Sequence, residues 1–137
     1  MSQNKKYSKF EIKGEAIPKG RPRVSVKGYL YTPERTRTYE KRVANSYYDD
    51  MLTGALKVHI EVYMAIPKSE TKSKKLKMAS GEIQPTKANG DLDNIVKAIL
   101  DGLNGIAYED DRQVVEIEAV KRYTDKEPYT YVEIYEL

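Results

Sequence analysis

The chain has no cysteine among its 137 residues. That excludes disulfide scaffolds, thiol nucleophiles and thiolate zinc sites together. Histidine is nearly as scarce. The single one, His59, sits in the run LKVHIEVYMAI, where a strand turns it away from both Val58 and Ile60. It reads as a polar position on a half-exposed strand rather than a catalytic group, so histidine-based triads and zinc sites are not expected. Long apolar runs are also lacking: no stretch reaches the roughly 18 residues of a membrane span, and no basic-then-apolar leader is visible. The expectation is a soluble, cytoplasmic protein. Neither a glycine-rich phosphate loop nor a G-x-S-x-G turn occurs. Any chemistry falls to carboxylates and lysine.

Charge is plentiful, at 33% of residues, and unevenly placed. Residues 1–42 balance at +8, residues 43–90 at +2 and residues 91–137 at −7. Either these charges only solvate the surface, or one surface attracts a polyanion while another presents carboxylates. The cations that would meet such a polyanion are Lys19, Arg21 and Arg23 of the loop PKGRPR, and Lys74 and Lys75 of a lysine-rich stretch further on.

The length suits one domain over residues 1–137. Alternation of Phe10 and Ile12 with charged residues makes residues 7–17 a strand exposed on one face. PKGRPR, residues 18–23, is a loop. RVSVKGYLYTP reads as a hairpin turning at Lys27-Gly28, and Thr32-Pro33 opens a helix running through Leu52. LKVHIEVYMAIP is the strongest strand. Residues 69–81 are either a short helix opening at Ser69 or a mobile basic loop. The clearest helix spans residues 91–103, with Leu92, Ile95, Val96, Ile99, Leu100 and Leu103 on one stripe and Asn104-Gly105 as its stop. VVEIEAVKRYT and YTYVEIYEL close the chain as two strands, expected to pair antiparallel around the turn Asp125 to Pro128. The predicted fold class is α/β of the α+β type: a mixed sheet with helices packed on it.

Two acidic knots bracket the clear helix: Asp91 and Asp93 at its start, then Glu109, Asp110 and Asp111 beyond its end. An aspartate at a helix start is a good N-cap and suits the macrodipole by roughly 0.3 to 1 kcal/mol, which accounts for one of them. If Asp91 is still extended, its side chain and that of Asp93 share a face, and carboxylates gathered in this way suit a hard cation such as Mg²⁺. A calcium loop is not expected, because Ile95 and Val96 stand where it needs an oxygen ligand and a glycine. A covalent aspartyl phosphotransferase would place its first aspartate directly after a buried strand, and PTKANG, residues 85–90, is no such strand. Lys97 lies four residues from both Asp93 and Asp101. It either forms two i,i+4 ion pairs or stands as an ammonium beside a metal site, where it would stabilise charge on a pentavalent phosphorus. Asn94 is a capping partner or a hydrogen-bond donor. The remaining chemistry is metal-assisted hydrolysis of a phosphodiester.

The run GDLDNIVKAILDGLNGIAYEDDRQVVEIEAVK, together with PKGRPR, resembles the RusA family of Holliday junction resolvases, small crossover-junction endodeoxyribonucleases often carried by phages and prophages. The carriers are a D-x-D-N-x-x-K-x-x-x-D-x-L-N-G core and a Y-x-D-D-x-Q-V-V tail in matching order and spacing. The resemblance implies a homodimer of mixed α/β fold that binds branched DNA and uses Mg²⁺. It implies Asp91, Asp93 and Asp111 as metal ligands and catalytic carboxylates, Lys97 as the catalytic lysine, and Asp110 as either an assistant or a structural residue. It also implies paired nicks that leave 5′-phosphate and 3′-hydroxyl ends, in recombination and repair. The lysine-rich residues 68–77 and the tyrosine-rich C-terminus depart from the family pattern without touching these positions. A general Mg²⁺ nuclease on flaps or single strands, and a non-catalytic nucleic-acid-binding module, are the competing functions.

Overall fold

The computed structural model describes residues 4–88 and 90–137; Asn89, within the segment PTKANG, lies outside the described residues. Strand β1 (Tyr7–Lys13) alternates exposed and buried along its whole length, placing Phe10 and Ile12 in the core. After the PKGRPR loop come two short strands, β2 (Arg23–Val24) and β3 (Leu30–Tyr31), which form a hairpin of their own. Inside the bonded pair Ser25 and Tyr29 its loop holds three residues rather than the two expected. The N–H of Gly28 donates to Ser25 O at 2.9 Å and that of Ser25 to Tyr29 O at 2.7 Å, with Gly28 at φ 84°, the left-handed position such a loop reserves for glycine.

Helix α1 (Glu34–Ser46) ends six residues before Leu52, the predicted limit. Tyr47 is extended (φ −96°, ψ 124°), and its ring meets Phe10 edge-on at 5.4 Å between centroids. Burial of that aromatic outweighs the helix-compatible content of the following residues. Strand β4 (Leu56–Ala65) supplies the most regular core row, Leu56, Val58, Ile60, Val62 and Met64. The lysine-rich stretch is a helix, α2 (Lys72–Ala79). It is capped by Thr71, whose side chain accepts from Lys74 N–H at 3.3 Å, not by Ser69. Helix α3 (Leu92–Leu103) buries its predicted stripe, with Leu92 half-buried.

The last two strands, β5 (Val114–Thr124) and β6 (Tyr129–Glu136), are not neighbours. The four-stranded sheet runs β1-β6-β4-β5, with β4 between them, antiparallel to β6 and parallel to β5. The expected hairpin is therefore wrong. Strand β4 is apolar enough to take the centre, whereas β5, which has no fully buried residue, suits an edge. Its parallel pairing follows from the long helical crossover between β4 and β5. Helices α1 and α3 pack against each other and on one face of the sheet. At Gly102 an added Cβ would lie 2.9 Å from Glu40 O and 3.0 Å from Val43 Cβ, so glycine sets how closely α1 and α3 approach. The opposite face carries His59. Its Nδ1 lies 2.5 Å from Glu118 Oε1 and its Nε2 2.6 Å from Glu61 Oε2, as a polar strand position rather than a catalytic one. Among the described residues no helix is long and apolar enough to cross a membrane.

Candidate active site

Helix α3 carries Asp93 and Lys97. Asp91 is its N-cap by backbone geometry (φ −73°, ψ 136°), yet its side chain makes no cap hydrogen bond. The simple capping role is thus not taken up by the carboxylate. Asp91 and Asp93 are both exposed at the helix start, where the macrodipole favours negative charge. Lys97 is exposed one turn on. Its expected partner Asp101 is bonded elsewhere: Lys19 Nζ lies 3.1 Å from Asp101 and 2.6 Å from Glu40.

That pairing removes Lys19 from the set of free cations. Burial opposes its charge, but the bonds to Glu40 and Asp101 outweigh burial and hold its pKa above the ordinary lysine value. The PKGRPR loop is fixed to α3 as well, since Lys19 N–H donates to Asn94 O at 2.9 Å. Arg21 and Arg23 remain exposed. Together with Arg35 at the start of α1 they line a cleft of about 520 Å³ that also contains Asp91. Sequence reading missed Arg35; the signal was its place just after the helix-start pair Thr32-Pro33. Lys74, on α2, is exposed and Lys75 is half-buried. Helix α2 lies at the same end of the sheet: Lys74 and Lys87 border one cavity with Glu15 and Tyr123, and Lys121 Nζ reaches Gly90 O at 3.2 Å.

Asp111 lies at the other end of α3. Its N–H donates to Oδ1 of Asn104, the C-cap, at 2.9 Å. Most of the Y-x-D-D-x-Q motif is occupied structurally. Tyr108 is buried and donates to Leu100 O at 2.6 Å. Asp110 caps the 3₁₀ turn Asp111–Gln113, accepting from Arg112 N–H at 2.9 Å, and that bond is the first cause of its lowered pKa. Gln113 accepts from the N–H groups of Glu109 and Asp110, each at 3.0 Å. The Asp110 side chain thus takes up a capping bond, whereas that of Asp111 caps no helix. Burial first, and then the neighbouring Asp101 and Asp110, push its carboxyl above the usual carboxylate range.

Asp91 and Asp93 share the N-terminal end of α3, and Asp111 is held at the other end. The 12 residues of α3 rise about 18 Å, and β5 runs back alongside, from Val114 next to the 3₁₀ turn to Lys121 at Gly90. Among the described residues no group of three or more histidine, aspartate or glutamate side chains is gathered closely enough to hold a metal ion. Among the described residues of one chain, Asp91, Asp93 and Asp111 are therefore not gathered as a three-carboxylate set.

Residues 13–135 match the family model described as Endodeoxyribonuclease RusA. The chain is also 34% identical, over 138 aligned positions covering 94% of its length and 96% of the relative's, to the uncharacterized protein YqaN of Bacillus subtilis (strain 168). The match spans both ends of α3, the basic loop and the whole sheet except most of β1 and the last residue of β6. The chain therefore belongs to the RusA endodeoxyribonuclease family, whose membership implies Holliday junction resolvase nuclease activity and binding to branched DNA.

Proposed function

We propose that this protein is a homodimeric, Mg²⁺-dependent endonuclease that resolves four-way DNA junctions by paired symmetric nicks. The nicks leave 5′-phosphate and 3′-hydroxyl ends, in recombination and repair. The observation that carries this reading is the cleft in which Asp91, whose carboxylate makes no cap hydrogen bond, stands beside Arg21, Arg23 and Arg35. A phosphodiester backbone drawn in by the arginines meets the Asp91 carboxylate in the same cleft. Lys74 and Lys75 on α2 extend the phosphate-binding surface at the same end of the sheet, and Lys97 presents an ammonium to charge developing at phosphorus.

The separation of Asp111 from Asp91 and Asp93 supports a dimer. A two-fold axis that sets the partner's Asp111 against Asp91 and Asp93 would complete three carboxylates at each of two equivalent sites. Mg²⁺ bound by such a set supplies Lewis-acid polarisation of the phosphate. Two equivalent sites also match a substrate that presents two equivalent strands.

The test incubates the protein with a synthetic four-way junction, a linear duplex and a flap, with Mg²⁺ or with EDTA. Paired nicks in the junction alone, and only with Mg²⁺, are expected. Equal cutting of the flap would replace this reading with a general nuclease, and binding without cutting would reduce the protein to a DNA-binding module.

A further inference from the structure

We infer that the β2–β3 hairpin is a wedge that enters DNA at the branch point and stacks on base pairs exposed there. The inference rests on the branched-DNA reading above and adds the element that tells a branch from a duplex. The hairpin stands outside the main sheet, its two strands paired only with each other. Val24 and Leu30 are directly opposed across it, yet they are 65% and 73% exposed, with Tyr29 at 71% and Val26 at the tip also uncovered. An isolated two-stranded hairpin is marginal in water, and contiguous exposed apolar side chains mark an interaction surface.

Charge selects the occupant. From Ala16 to Pro33 the chain carries no carboxylate side chain, while Lys19, Arg21, Arg23 and Lys27 are cationic. With Lys19 paired internally, the cations left at the root and tip of the hairpin are Arg21, Arg23 and Lys27. Apolar and aromatic side chains framed by cations suit a nucleic acid, whose phosphates take the arginines while base faces take Tyr29 and Leu30. The hairpin's root residue Arg23 lines the same cleft as Asp91, so insertion at the branch would register the backbone against the carboxylates. An intact duplex offers no free base face along its length; a branch point does.

The experiment compares the parental protein with a Val26→Ser, Tyr29→Ser, Leu30→Ser variant, in EDTA. Binding is measured to a four-way junction and to a linear duplex, with 2-aminopurine at the branch. The expected result is a loss of junction affinity of about tenfold, little change on the duplex, and no 2-aminopurine fluorescence rise where the parental protein gives one. Because the hairpin lies outside the main sheet, the thermal midpoint should hold. An unchanged junction-to-duplex ratio and an unchanged fluorescence rise would overturn the wedge while leaving the resolvase reading intact. A variant that becomes monomeric by light scattering, where the parental protein is dimeric, would overturn it by assigning the hairpin to a second copy. A parental protein without preference for the junction would overturn both.

Discussion

The backbone N–H of Asp111 donates to Oδ1 of Asn104 at 2.9 Å, fastening the last motif carboxylate to the C-cap of the helix whose N-cap is Asp91. The two acidic knots are thus held about one helix length apart, roughly 18 Å, by an element packed in the core.

This placement makes Asp111 costly to the fold. Burial, Asp101 and Asp110 raise its carboxyl pKa above its unfolded value. Such a group contributes stability that is present below the unfolded pKa and lost as pH rises through the folded one. At pH 7 the charged form therefore opposes folding. Asp111→Asn should raise the thermal midpoint at pH 7, with the gain shrinking toward pH 3, and should abolish nicking. Thermal melts across pH, run beside a junction-nicking assay, check both outcomes.

Lys19 and the two loop arginines should separate cleanly. Lys19→Met leaves Glu40 and Asp101 uncompensated, and the partial exposure of all three side chains limits the loss to about 1–2 kcal/mol, read from urea unfolding. It should leave the salt dependence of DNA binding unchanged. Arg21→Ala and Arg23→Ala should each reduce the slope of log K against log salt by about 0.9 with little effect on stability.

On the open face of the sheet, His59 lies between two glutamates. The hydrogen bond to Glu61 is the first cause of its raised pKa, with Glu118 adding to it against burial. Its contribution to stability is therefore full below about pH 6.5 and is lost as pH rises through the folded pKa. Compared with a His59→Gln variant, the parental protein should be favoured at pH 6, and the difference should fade by pH 9. Paired thermal melts at the two pH values test this.

Gly102 sets the approach of α1 and α3. Gly102→Ala improves helix propensity by up to about 1 kcal/mol but drives a Cβ to 2.9 Å from Glu40 O. Net destabilisation of about 1–3 kcal/mol is expected, visible as a lower urea midpoint.

The helix carrying the candidate site was the most legible element, because its apolar stripe and its Asn104-Gly105 stop follow from local periodicity. The pairing of β5 and β6 was not legible. A short turn between two strands suggests a hairpin, and only the competition of all strands for the centre, which β4 wins, sends β6 past it. Likewise the i,i+4 spacing of Lys97 and Asp101 allowed an ion pair, but Lys19, from a loop far earlier in the chain, takes Asp101 instead. Local spacing also allowed Asp111 to return toward Asp91. The Asn104 bond and the direction of β5 hold it at the far end.

A mixed-variant nicking assay tests the shared site most directly. An Asp93→Asn chain and an Asp111→Asn chain, each inactive alone, are unfolded together, refolded as a mixture and given a four-way junction with Mg²⁺. If each site takes Asp91 and Asp93 from one chain and Asp111 from the other, half of the dimers regain one intact site, and nicking returns at about a quarter of the parental rate. If the mixture stays as inactive as its components while light scattering shows dimers, each site lies within one chain and the account is wrong.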